Sequence, residues 1–511
     1  MLEDPNRDSD MMRRQMVALI VMMGIVWIWF TFFVPKPSDQ PRPQQTQTVP
    51  EQAPAAASPD IVRTATPSAR PGSTPSGDLQ LPPVPEQTDP ADDEVTIEDG
   101  DLRLTLTRIG ARLKRAEVIL GEDGVDTIQL VPQPDNGASD VEAIYPLGLR
   151  FTNREFGDEL DYRRFDAQRD PDGRGVTFSL ELPGIAVVQK RIRLSEDRHV
   201  VDIDVSYRNL ESRTRELGLD LTPAYILNWG PGMVVQNEGT YFPPNFVWRQ
   251  SDETPVFKPK DLPQRNGAPE DKRVPGIGWI GYKSKYFLAA LKPAGDGAIT
   301  DGWVRGTEDT FRFGVYQPAF ALPAGATHES SYRLYLGPMH LDALREAWPN
   351  LTTALRFFGP GGWFGETVSN GMDWFAKLLL RNLNWWYGYI PNYGIAIILL
   401  TVLVRMIMFP LMIKQIRSMK QMQALAPEMQ ALREKHADNP QEMNKAMMEF
   451  YRERKINPLA GCFPILLQMP VFIALYRMLW NAFELRGAEF LYIDDLSLPD
   501  GFIALPFMEG V

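Results

Sequence analysis

Residues 392–414 read NYGIAIILLTVLVRMIMFPLMIK. The run is almost wholly apolar and carries a single charge, Arg405, before Lys414. About 20 apolar residues in a helix cross the ~30 Å hydrocarbon core of a bilayer, so residues 394–413 predict a membrane-spanning helix. Lys414 marks its water-facing end. Arg405 precedes Lys414 by about nine residues, or ~13 Å of helix, which sets the guanidinium near the midplane. An Arg there costs roughly 2.5–3.5 kcal/mol on insertion scales. Such a charge faces a protein interior or a wet cavity, and the helix is read as functional for that reason.

Downstream, residues 412–455 are charged and helical in pattern. Met419, Met422, Leu425, Met429 and Leu432 form one stripe, and Pro427 kinks or restarts the helix. Residues 437–440 make a turn, and Met443, Met447 and Phe450 mark a second helix. Two apolar stripes that close on each other predict a helical hairpin over 414–456. Its lysines and arginines put it in the cytoplasm by the positive-inside rule. Their function is topology and solvation, or contact with lipid headgroups, a ribosome or a targeting factor. A second apolar run follows at 459–480, LAGCFPILLQMPVFIALYRMLW. Pro464 and Pro470 free backbone groups that need partners, and Gln468 wants a polar neighbour; both suit a helix lining a wet cavity. Arg477 is read as an anchor at the outward end. Residues 481–511 return outside, and 503–508 begin a further crossing.

Upstream, residues 16–34, MVALIVMMGIVWIWFTFFV, follow Arg13 and Arg14 and read as an uncleaved signal anchor with residues 1–15 in the cytoplasm. Residues 35–94 are rich in Pro, Gln, Ser and Thr and form a disordered tether. Residues 95–338 change character. Period-two runs at 102–106, 176–182, 200–207, 311–315 and 332–336 predict half-buried strands and a large β-sandwich outside the cytoplasm. Residues 341–358 have helical spacing broken near Pro349. Gly359, Gly361 and Gly362 form a hinge. Asn370 caps an expected helix from 371 to about 386, whose aromatics suit the outer membrane surface; a buried core helix is the alternative. Residues 339–391 are thus a linker helix and an interfacial helix.

Composition sets outer limits. The chain has 511 residues and a net charge of −12, which argues against nucleic acid as a direct partner. Its one cysteine, Cys462, permits no intrachain disulfide. His199, His328 and His340 have no ligand spacing, and no HExxH, GxSxG or Walker sequence occurs. The sequence points to no enzyme, metal or cofactor.

The order and wording of these segments resemble the YidC/Oxa/Alb membrane protein insertases, in their Gram-negative form. The matching stretches are LTVLVRMIMFPL around Arg405, INPLAGCFPILLQMPVFIALYRML, FELRGAEF, DLSLPD and YRLYLGP at 332–338. The resemblance implies a multidomain inner-membrane protein. It would have a periplasmic all-β supersandwich, an α-helical transmembrane insertase core and a cytoplasmic helical hairpin. It implies a hydrophilic groove holding Arg405; Thr401, one turn before it, should face the same cavity, and Gln468, Cys462 and Pro470 are the candidates for the opposing wall. It also implies work alone or beside SecYEG and accessory Sec proteins, on nascent membrane proteins in the lipid bilayer. On that comparison the chain stops before the last three crossings of a five-helix core. Membrane-anchored carbohydrate-binding or sensor proteins are the rival classes. The first predicts a carboxylate–histidine cluster within 95–338, and the second an effector domain in the cytoplasm.

Overall fold

The period-two runs fold as strands. The computed structural model describes residues 93–498, except 121–126, 134–144, 153–158, 220–221, 231, 235–244, 252, 258–261, 266–267, 296, 307–310, 359–364, 436–439 and 454–462. The five runs expected as strands lie in Leu102–Thr107, Gly175–Leu182, Val200–Asn209, Phe311–Gln317 and Thr327–Pro338. Glu94–Glu98, Leu102–Thr107, Arg112–Ile119 and Thr127–Gln129 form a four-stranded antiparallel sheet in chain order. A larger sheet joins thirteen of the described strands. Through its middle run, side by side, Lys272–Lys283, Phe287–Pro293, Thr327–Pro338, Val200–Asn209 and Ala186–Leu194.

Successive side chains of a strand point to opposite faces, and here both faces fill a core. Leu104, Leu106 and Val118 of the small sheet pack with Phe178, Val188, Ile203 and Leu334 of the large one. The other face of the large sheet sends Val200, Val247, Trp279 and Tyr335 into a second core. The sequence reading expected strands with one wet face, and the middle of the sheet departs from it. Along Phe287–Pro293, Phe287, Ala289 and Leu291 enter the first core while Leu288 and Ala290 enter the second. A strand buried on both sides reads as a continuous apolar run rather than an alternation.

Helices complete the second core. The linker helix Leu341–Ala347 supplies Leu341, Leu344 and Ala347. The chain breaks at Pro349 and resumes as a 3-10 turn, Leu351–Ala354. The amphipathic helix Gly365–Tyr389 adds Ala376, Leu379, Leu380 and Leu383. The arginine helix Tyr393–Ala424 adds Ala396 and Leu400, and the proline-bearing helix Phe463–Asn481 adds Ala474 and Met478. The β region and these helices therefore share one apolar interior.

Three boundaries differ from the sequence reading. The amphipathic helix begins before Asn370, so Asn370 is no cap; its carboxamide oxygen instead accepts from Arg356 Nη2 at 2.9 Å. The arginine helix does not stop at Lys414 but runs unbroken, through Pro410, to Ala424. Its length, ~48 Å at 1.5 Å per residue, exceeds the hydrocarbon core. Pro427 falls in the first turn of a new helix, Ala426–Lys435, where its missing N–H costs little. That helix meets Pro440–Glu453 through Tyr451, whose hydroxyl lies 3.8 Å from Met429 Sδ. The expected anchor at 16–34, almost all of the tether, the glycine hinge, most of the 437–440 turn, Cys462 and residues 501–511 lie outside the described residues.

Candidate functional site

The arginine helix is fixed at its start. Asn392 caps it, its side-chain oxygen accepting from Ile395 N at 3.1 Å and its carbonyl from Ala396 N at 3.0 Å. Within the first turn, a Cβ on Gly394 would stand 2.1 Å from the ring of Phe490, so only glycine admits that ring. Asn392 Nδ2 also reaches Glu489 O at 3.4 Å. The chain leaving the proline-bearing helix thus returns to the start of the arginine helix, and the two run antiparallel.

Packing ends where the charge begins. Ala396 and Leu400 are buried and Val404 is partly buried. Arg405 is exposed, and from there to Ala424 no side chain described is buried. Residues Tyr393–Pro410 are long and apolar enough to cross a bilayer, with only 17% of the segment buried. Val402, Met406, Ile407 and Phe409 are exposed on it. Apolar exposure on this scale belongs in lipid or against an apolar partner.

The residues singled out from sequence fall as follows. Thr401 and Arg405 are one helical turn apart and share a side of the helix. The Thr401 hydroxyl donates to Ile398 O at 2.7 Å within its own helix. Gln468 is partly buried and Pro470 exposed, both on the antiparallel helix. Because Leu400 and Ala474 belong to one core, stepping beyond them leads to Arg405 on one helix and to Pro470 and Gln468 on the other. Among the described residues, the side chains of Arg405 and Gln468 make no hydrogen bond or ion pair. Arg477, read as an anchor, has its guanidinium 5.9 Å from the ring centroid of Phe358.

The sequence reading missed the polar supports at the other end of these helices. Glu484, with a side chain 1% exposed, lies 3.7 Å from His340 and accepts from Asn384 Nδ2 at 3.3 Å. Burial pushes its carboxyl above the ordinary 4.5, against the pull of His340. Asp373 accepts from the N–H groups of Phe357 and Phe358 at 2.8 and 2.9 Å and pairs with Arg356 at 3.4 Å. It thereby ties the linker to the amphipathic helix. Both acids look like ordinary surface carboxylates in sequence, and only their long-range burial marks them. Among the described residues no group of three or more His, Cys, Asp or Glu could hold a metal ion.

Comparison with known proteins covers both halves of this arrangement. Residues 94–375 match the family described as YidC periplasmic domain, and residues 385–511 the family described as 60Kd inner membrane protein. The membrane protein insertase YidC of Geobacter metallireducens is 30% identical over 98% of this chain and 88% of its own length. That of Syntrophobacter fumaroxidans is 30% identical over 81% of this chain and 73% of its own. A crystal structure of an active YidC insertase with its first transmembrane domain resolved aligns over 80% of this chain and 76% of its own. It does so at 16% identity and a TM-score of 0.28.

Proposed function

Because the chain belongs to the YidC family of membrane protein insertases, non-enzymatic inner-membrane proteins with a periplasmic domain, we propose that it passes nascent membrane proteins through a hydrophilic groove floored by Arg405. One observation carries this reading. Arg405 is an exposed guanidinium on a helix apolar enough to span a bilayer, set where that helix leaves its packed core. A charge at such depth is tolerable only beside water or polar groups.

In the proposed groove Thr401 stands beside Arg405, and Gln468 and Pro470 form the opposite wall. A wet cavity partway into the bilayer shortens the apolar path for a hydrophilic tail. Arg405 attracts acidic residues on that tail, strongly because the surroundings are of low dielectric. The apolar part of the substrate then slides into lipid past the exposed face of the arginine helix. No bond is made or broken; hydrophobic transfer and the membrane potential acting on charges supply the driving force.

The same reading sets the topology. Residues 95–338 form the periplasmic supersandwich, and the amphipathic helix lies on the outer membrane surface, a placement supported by exposed Trp374, Trp385 and Tyr389. The two short helices after the arginine helix stand in the cytoplasm, where a ribosome or targeting factor docks. The chain works alone or beside the Sec translocon.

The test is reconstitution in liposomes with single-span substrates bearing acidic or neutral N-tails. Arg405→Ala should slow insertion of the acidic tails at least several-fold, and Arg405→Lys much less. Equal insertion of acidic tails by Arg405→Ala and wild type would show the groove-arginine mechanism to be wrong.

A further inference from the structure

A cavity of about 490 Å³ opens between residues 249–256, the linker turn and the amphipathic helix. Arg356, Lys377 and Asp373 line it, with Trp374 beside them. The carboxylate of Asp373 is fully engaged by two backbone N–H groups and by Arg356. The nearby lysines feel the charge of Asp373 but make no direct contact with it. Lys377 Nζ donates to Thr352 O at 3.1 Å, and Lys283 Nζ to Ala354 O at 3.1 Å. Neither forms an ion pair with a described carboxylate. An ammonium carries three donors, and a partly buried one with no anion in contact keeps donors to offer. Burial lowers the Lys377 pKa and brings that of Lys283 down to about 8.

A second, uncharged group points the same way. Thr254 lines the cavity and is 5% exposed, and its hydroxyl has no hydrogen-bond partner among the described residues. Buried hydroxyls without partners are rare in native folds. Arg356 already donates to Asp373, to Thr254 O and to Asn370, and only the second N–H of each Nη remains; with the Lys377 ammonium and the Thr254 hydroxyl these make a donor set suited to phosphate oxygens.

We infer that this cavity binds a phosphate-bearing anion, with Arg356, Lys377 and the Thr254 hydroxyl as donors. Glu253 on the rim disfavours highly charged polyphosphates and favours a phosphodiester, which carries one negative charge. The source of that phosphodiester follows from Trp374, which is 67% exposed beside the cavity. On the interfacial placement of the amphipathic helix proposed above, on which this step rests, the mouth faces the headgroups of anionic lipids.

The full-length protein in phosphatidylcholine nanodiscs provides the test, with phosphatidylglycerol as one arm and inorganic phosphate as the other. The readouts are the thermal unfolding midpoint and lipid retention by native mass spectrometry. Phosphatidylglycerol should raise the midpoint and be retained in preference to phosphatidylcholine. Lys377→Gln and the near-isosteric Thr254→Val should each weaken that effect roughly tenfold, about 1.4 kcal/mol, while Thr254→Val matches or raises the lipid-free midpoint. A Lys377-dependent response to inorganic phosphate alone keeps the anion site and makes its source soluble. If neither ligand's effect depends on Lys377 or Thr254, the inference is overturned. Quenching of Trp374 by brominated lipid, taken against Trp374→Phe, tests the interfacial placement separately. Lipid preference without quenching keeps the site and removes the placement, and quenching without preference does the reverse.

Discussion

Glu484 Oε1 lies 3.7 Å from His340 Nε2 and accepts from Asn384 Nδ2 at 3.3 Å. One buried carboxylate thus joins the end of the β region, the amphipathic helix and the loop that returns to the arginine helix. A contact of this kind sets the angle at which the helices leave the β region, and it titrates.

The direction of that titration is fixed by burial. The Glu484 carboxyl is raised above 4.5 in the folded protein, so the folded state holds the proton more tightly than the unfolded chain does. Its contribution is fully present below pH 4.5 and is lost as pH rises through the folded value. Glu484→Gln should keep the bond from Asn384, flatten the fall in unfolding midpoint above pH 4.5, and match or exceed wild type at pH 8. Glu484→Ala should lose about 1–3 kcal/mol at pH 5. Thermal unfolding across a pH series in detergent reads both.

Lys190 offers the opposite sign. It sits at an inward position of strand Ala186–Leu194, fully buried, and donates to the carbonyls of Gly110, Ala111 and Leu147 at 3.3, 2.9 and 2.5 Å. Burial pushes its pKa from 10.5 down to about 7. Between those values the unfolded chain binds the proton and the folded one does not, so stability should rise with pH from about 7 to 10.5. Lys190→Met removes that rise. It also leaves three carbonyls unpaired, which should cost on the order of 2–4 kcal/mol at pH 7. Urea unfolding followed by tryptophan fluorescence at several pH values measures slope and offset together.

Gly394→Ala drives a methyl into the ring of Phe490, which also crowds the site at its own Cβ, 2.7 Å away. The ring cannot swing clear without moving the loop pinned by the paired backbone bonds of Phe490 and Ile493 at 2.8 and 2.9 Å. A loss of about 1–3 kcal/mol is expected, with faster proteolysis between residues 483 and 498 as the local signature. A midpoint equal to wild type would show the loop to be loose.

Leu344 on the linker helix and Leu383 on the amphipathic helix are both fully buried in the second core. Each changed to Ala should cost about 2–5 kcal/mol. Because the core spans sheet and helices, the β region and the helices should lose stability together. Separate unfolding transitions in calorimetry of either variant would show that they do not share a core.

The sequence was most legible where the physics is local. Alternation located the strands because a half-buried strand has period two. Pro349 and Pro427 interrupt helices for reasons visible in the residues themselves. Long-range burial left no such mark. Leu288 and Ala290 look like any apolar pair until the linker helix covers them, and Glu484, Asp373 and Lys283 look like surface charges. Asn370 shows the limit of local reading in the other direction: a good cap residue was overridden because the helix is held from the side, by Arg356, and starts earlier. Of the proposed groove, helix spacing puts Thr401 one turn from Arg405 on the same side of its helix. The relation of Gln468 and Pro470 to them needed the antiparallel return through Phe490.

Strand Phe287–Pro293 belongs to two interiors at once, and this has a mechanical consequence. No slip plane separates the β region from the base of the arginine helix, because any sliding would have to shear a close-packed interior. A sideways load on the start of that helix is delivered to the whole sheet. The β region therefore braces the start of the helix, while the length beyond Val404, where no described side chain is buried, is left without that support.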